Sequence, residues 1–201
     1  MIANHIHDAL AQVRRLQELV LQKRMFRGYS GIARIVGGLT ALAGACVMAS
    51  SRFPADPLAH LAGWAAVLAV ALIANYGALG LWFLRDPEVA RNALKLTPAI
   101  EAIPALFVGA ALTVAAVLKG NYDLLFGIWM CLYGLAHVGY RLSLPRANYA
   151  VGVFYIAAGA FCLLWPGIVF VDPWPMGIVF LVGESGGGYV LYRHRREGET
   201  A

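Results

Sequence analysis

Apolar residues gather in long runs along this chain, and polar or helix-breaking residues mark the gaps between them. Six runs come close to the roughly 20 residues needed to cross the hydrocarbon core of a bilayer. They cover residues 31–51, 58–84, 98–118, 124–141, 149–166 and 176–193. Pro54 and Pro57 separate the first two, and Pro87 and Pro98 bracket the next gap. Lys119-Gly120-Asn121-Tyr122-Asp123 makes a tight turn, Pro145 follows the fourth run, and Pro166, Pro173 and Pro175 fill the fifth gap. Ahead of the runs the pattern changes. Ile2, Ile6, Ala9, Val13, Leu16 and Val20 recur at helical spacing as one apolar stripe, with Asp8, Arg15, Glu18 and Gln22 off it. The predicted fold is all-α: an amphipathic cytoplasmic helix in 1–28, a domain of six transmembrane helices in 29–193, and a basic tail in 194–201.

Composition agrees with this reading. Of the 201 residues 60% are hydrophobic and 13% charged, where a soluble domain carries about a quarter charged. The mean hydropathy is +0.67. The net charge of +5 first suggests nucleic acid, but the basic residues flank apolar runs, where topology explains them better. Only Arg52 and Lys119 fall on one side of the six-span layout; the other fourteen of the sixteen fall on the opposite side. Positive charge stays cytoplasmic, so both termini are expected in the cytoplasm, with the chain multi-pass in an inner membrane. Trp165 and Trp174 would mark the outer interface, and Trp82, Tyr140, Tyr149 and Tyr192 the inner one. Residues 1–28 lack the apolar core of a signal peptide. Cys46, Cys131 and Cys162 all lie in apolar runs without CxxC spacing, which argues against a disulfide framework or a zinc site. His5 and His7 would point to different faces of a helix, so no metal is expected there. No phosphate, dinucleotide, nucleophile-elbow or metalloprotease motif appears. No cofactor and no catalytic residue is expected.

The spans also repeat. Gly37 and Gly44 are seven apart in the first, Gly152 and Gly159 seven apart in the fifth, and the third keeps Gly109. Each returning span closes alike, with Tyr76-Gly77 leading to Arg85, Gly139-Tyr140 to Arg141, and Gly188-Tyr189 to Arg193. The chain therefore reads as three tandem two-span hairpins. Small residues let helix backbones approach closely inside lipid, so Gly183, Gly186, Gly187 and Gly188 of the last span are expected to abut another helix. ANYAVGVFYIAAGAFCLLWPG and PMGIVFLVGESGGGYVLYR, over 148–193, resemble the repeated hairpin of the HdeD-like proteins, small six-span bacterial inner-membrane proteins associated with acid resistance. The resemblance implies a bacterial location and a stress-response role, and it carries over no catalytic residues.

Chemistry is concentrated in a few polar residues inside the spans. Glu184, beside Ser185, lies near the middle of the sixth, eight residues from Tyr192 and so roughly 12 Å from the inner interface. A carboxylate there costs about 2.5–3.5 kcal/mol on insertion scales and faces protein or water. Asn75 is expected at a similar depth, with Glu101, His137 and Arg34 nearer the cytoplasmic surface. Together they would form a polar path from that surface to mid-membrane. Carboxylates and an imidazole in series relay protons, since histidine titrates near neutral pH; they also bind cations or headgroups. The plainer alternative has Glu184 protonated and bonded to a neighbouring helix, Arg34 and Glu101 snorkelling, and His137 satisfying a carbonyl. On either view glutamine at 184 is expected to preserve the fold.

Two functions follow. One is a non-enzymatic stress-response or regulatory membrane protein, oligomeric and acting by binding lipid or membrane partners, with residues 2–27 lying on lipid or docking a partner. The other is a proton-linked carrier with a cytoplasm-facing pocket centred on Glu184.

Overall fold

The computed structural model describes residues 12–13, 30–85, 103–139 and 144–199, and every structural statement below concerns these. Of the predicted N-terminal helix, only Gln12 and Val13 fall within them, and both are helical and exposed. The described residues form six helices: α1 Gly31–Met48, α2 Pro57–Arg85, α3 Ile103–Leu118, α4 Leu125–Gly139, α5 Ala147–Leu164 and α6 Trp174–Glu199. A 3-10 turn, Tyr122–Leu124, precedes α4. No strand occurs among the described residues.

Local chemistry sets the ends of these helices. The Ser30 hydroxyl accepts the Ala33 amide at 3.3 Å and caps α1. Asp56 Oδ2 accepts the Ala59 amide at 2.9 Å, and Pro57, which has no amide hydrogen to satisfy, takes the first position of α2. At the end of α3, Gly120 turns left-handed at φ 69°. Its neighbour Asn121 donates back to the Ala116 carbonyl at 2.8 Å, closing the helix as a glycine C-cap.

Three helices, α1, α2 and α5, are long and apolar enough to cross a membrane by length and composition, and α3 is a shorter apolar helix. That is three rather than the six expected. The shortfall has a visible cause in each remaining helix. The runs predicted for α3 and α4 extend into 98–102 and 140–141, which lie outside the described residues. In α6, Glu184, Ser185 and the five glycines of 176–193 dilute the hydropathy of an otherwise apolar segment.

Packing departs from a simple stack of hairpins. Consecutive helices of each hairpin do touch, but the most extensive contacts are between hairpins, α1 with α6 and α4 with α5. Both pairs are antiparallel. Gly31, Gly38 and Ala45 of α1 meet Gly188, Leu181 and Gly177 of α6 in reverse order. Gly127 and Gly134 of α4 likewise meet Gly159 and Gly152 of α5. A methyl added at Gly134 would sit 2.6 Å from the Gly152 carbonyl and 2.7 Å from Ile156 Cγ1. One added at Gly188 would sit 2.6 Å from the Gly31 carbonyl and 2.7 Å from Ile35 Cγ1. The two seams are thus the same joint built twice. This corrects the repeat assignment: Gly152 and Gly159 correspond to Gly31 and Gly38. Gly37 and Gly44 face α2 instead, against Asn75, Ala71 and Val67.

The most extensive contacts run in the order α2, α1, α6, α5, α4, α3, and the series curls back on itself, since the Trp64 ring of α2 meets the Phe126 ring of α4 with centroids 5.8 Å apart. Toward one end of the helices the core is apolar, joining Ala45, Met48, Trp64, Phe126, Met130, Cys162, Phe170 and Met176. Phe170 anchors it, with its ring 5.0 Å from Phe126 and 5.9 Å from Trp129. Its amide donates to Asp123 Oδ1 at 2.7 Å, tying the α5–α6 connection to the turn before α4. Toward the other end the core becomes polar.

Candidate functional site

Glu184 lies in that polar half, on the face of α6 turned toward α1, α4 and α5. The residue is 4% exposed, as is to be expected of a carboxylate that faces protein rather than lipid. Arg34 of α1 grips it with two parallel bonds, Nε to Oε2 and Nη2 to Oε1, both 2.9 Å. This fork geometry is the strongest arrangement available to a guanidinium and a carboxylate. Tyr133 of α4 and Tyr155 of α5 each donate their hydroxyl to Oε1, also at 2.9 Å. Arg34 has one further bond, Nη1 to Asn148 Oδ1 at 2.9 Å. Four helices therefore converge on one carboxylate. All four groups bonded to it are donors, so the carboxylate is held as an anion.

The repeat explains why these side chains meet. Arg34 stands three residues after Gly31, and Tyr155 three after Gly152. Both occupy the same place beside equivalent seams, so both project into the space between them. Glycine does the rest on α6. Gly187 leaves room for the Arg34 guanidinium, and Gly183 for the Tyr155 ring, each in contact that a methyl group would obstruct. Gly188 seats against Gly31. Gly186 departs from the expected packing role: it is exposed, with nothing near the position of its absent side chain.

The other expected residues divide. His137 is buried beside the cluster, with its ring centroid 4.5 Å from that of Tyr133 and 6.0 Å from that of Tyr155. Its Nδ1 donates to the Tyr133 carbonyl at 3.0 Å, one helical turn back. Asn75 does not join. Its amide donates to the Ala71 carbonyl of its own helix at 2.9 Å, on the α1–α2 contact beside Gly37. Ser185 is half-buried and supplies none of the bonds to Glu184. Glu101 lies outside the described residues. Arg34 does not snorkel; at 5% exposure it points into the bundle. The path imagined in series, with Arg34 outermost and Glu184 deepest, is instead one closed knot in which the two charges touch.

Three members were missed by sequence reasoning: Tyr133, Tyr155 and Asn148. A signal existed for the tyrosines. A mid-span phenol needs a hydrogen-bond partner in hydrocarbon, and the carboxylate of Glu184 is the obvious one. Asn148 offers no such signal, since it opens α5 in the first turn and reads as interfacial. Its Oδ1 is used by Arg34, while its Nδ2 is buried without a partner.

The Arg34 and Glu184 side chains are buried by protein. An open pocket of about 460 Å³ at the apolar end is lined by residues including Met48, Phe53, His60, Val169, Asp172 and Trp174. The chain matches no family model, no curated protein and no solved structure.

Proposed function

We propose that the chain is a six-span inner-membrane protein acting without catalysis, and that the Arg34–Glu184 knot is a structural clamp rather than a transport site. One observation carries the reading: the Glu184 carboxylate is enclosed and all its bonds are taken by Arg34, Tyr133 and Tyr155. A carrier needs a carboxylate that water or cargo reaches during the cycle. Here the approach is filled by a guanidinium in bidentate contact, whose removal leaves an uncompensated buried charge worth about 3–5 kcal/mol.

The helices α2 and α3 bury little of their surface, with Ile73, Leu84, Phe107 and Leu118 among their most exposed side chains. Such surfaces suit lipid and other membrane helices. The function that fits is regulatory or stress-linked binding of membrane partners, presented by a rigid four-helix centre. The aromatic side chains fit six spans with both ends cytoplasmic: Trp165 and Trp174 are exposed at one end, Tyr149 and Tyr192 at the other.

The test uses the purified chain in sealed liposomes under an imposed pH gradient. The clamp reading expects proton flux no greater than that of empty vesicles. Flux above that level, abolished by Glu184→Gln in protein that remains folded, would establish the carrier instead.

A further inference from the structure

The connection between α1 and α2 and the connection between α5 and α6 both border the open pocket of about 460 Å³. Met48, Phe53, Val169, Val171 and Trp174 give it apolar walls, and no lysine or arginine lines it. Asp172, its one carboxylate, is exposed and already accepts the Trp174 amide at 3.2 Å, where α6 starts. His60 differs. It lines the same pocket, is 2% exposed, and directs Nδ1 to the Asp56 carbonyl at 3.1 Å. A carbonyl only accepts, so Nδ1 carries the hydrogen and the neutral ring has Nε2 as a bare acceptor. That nitrogen is buried without a partner.

One turn further along α2 stands its complement. Trp64 is 4% exposed, and its indole Nε1, which can only donate, is also buried without a partner. Among the described residues only these two side-chain atoms and Asn148 Nδ2 share that condition. His60, Gly63 and Trp64 fall on one face of α2 at the spacing of successive turns. The cover over that face is the pocket's own lining. A methyl added at Gly63 would sit 2.5 Å from Met48 Sδ and 3.5 Å from Phe53 Cζ. The Phe53 ring also stands nearly perpendicular to the imidazole, with centroids 5.0 Å apart. Glycine at 63 thus lets a flexible thioether and a phenyl group lie on the face that holds both nitrogens.

We propose that the pocket binds a small apolar alcohol, whose hydroxyl passes Met48 and Phe53, donates to His60 Nε2 and accepts from Trp64 Nε1. A hydroxyl is the group that offers a donor and an acceptor on one atom. Side chains one turn apart on a helix stand about 5–6 Å apart at Cβ. An oxygen bonded to two nitrogens at ordinary length spans about the same gap. Neither charged alternative fits: an ammonium leaves the indole hydrogen unpaired, and a carboxylate sets its oxygen against the Nε2 lone pair. Both would also be costly to desolvate in an apolar core. Water makes the same two bonds but covers none of the apolar wall, whereas the body of an alcohol packs on Val169, Val171 and Trp174. Two sources carry this chemistry, a soluble alcohol and a hydroxyl-headed lipid such as a diacylglycerol.

This site lies apart from the Arg34–Glu184 knot, and its test depends neither on the clamp nor on the number of spans. The full-length chain in phosphatidylcholine nanodiscs is photolabelled with a diazirine-bearing octanol, and the adduct is mapped by peptide mass spectrometry. Saturable labelling of the pocket lining, at Met48, Phe53 or Trp174, is expected, with unlabelled octanol competing. Octyl methyl ether has no hydroxyl hydrogen and should compete about tenfold less well, the loss of one hydrogen bond. His60→Phe and Trp64→Phe each remove one of the unpaired atoms, so they should keep the helix content while weakening octanol binding by about tenfold. Diacylglycerol added to the nanodiscs separates the sources: suppressed labelling identifies the lipid hydroxyl, unchanged labelling a soluble alcohol. The proposal is overturned if the ether competes as well as octanol, if the adduct maps outside the pocket, or if either variant labels like the parent chain.

Discussion

Arg34, Glu184 and Tyr155 are buried and Tyr133 half-buried where they exchange charge and hydrogen bonds, so each is worth more by its loss than by its presence. Glu184→Gln was expected from the sequence alone to preserve the fold, because glutamine keeps size and bonding capacity. The bidentate contact with Arg34 reverses that expectation: glutamine leaves a buried guanidinium without its counter-charge. Unfolding in detergent micelles should show a loss of about 3–5 kcal/mol for Glu184→Gln. Tyr155→Phe removes one hydrogen bond to a charged group, and by the same measurement should cost about 1.5–3 kcal/mol. Glu184 itself was legible in the sequence, since a carboxylate amid apolar residues is conspicuous. That Arg34 is its partner was not. The two are 150 positions apart, and an arginine four residues into a span reads as one that reaches back to the headgroups. Only the seam that brings α1 against α6 removes that option.

At the scale of the helix, the apolar runs and their Pro and Gly punctuation located all six helices, with most boundaries within a few residues. They could not show which face of each helix meets which neighbour. Gly37 and Gly44 looked equivalent to Gly152 and Gly159 because both pairs are seven apart, but seven-residue spacing marks a stripe without saying what the stripe touches. Gly31 and Gly38 share that spacing and make the equivalent contacts. Position within the seam therefore decides the effect of a substitution. Gly134→Leu and Gly188→Leu must each displace backbone and an isoleucine, so a loss of about 1–3 kcal/mol or more is expected. Gly139→Leu, on the same helix as Gly134 but with open space beside it, should change stability by no more than about 0.5 kcal/mol. Thermal unfolding of the three variants in one detergent distinguishes the seams from the exposed glycines. Equal losses at all three would contradict a cost set by seam contact, since leucine is the better helix former and propensity alone would give a gain.

For the whole molecule, the distribution of polar and apolar packing gives the bundle two unlike halves: an aromatic core around Phe170 and Phe126 near one end, and the charged knot toward the other. The proposed six-span reading predicts that reporter fusions at residue 1 and residue 201 respond alike, both from the cytoplasm. Opposite responses would require an odd number of crossings. The repeated glycine seam puts Arg34 and Tyr155 in equivalent places, so that two seams feed one carboxylate.

The measurement that bears most directly on the clamp is a double-mutant cycle on Arg34 and Glu184, read as unfolding free energy in the same micelles. Arg34→Met and Glu184→Leu should each be strongly destabilising, and the double variant should recover much of the loss, because it removes both buried charges together. A coupling of roughly 2 kcal/mol or more is the predicted result. Additive losses, or single variants as stable as the parent chain, would contradict an ion pair that holds the bundle together.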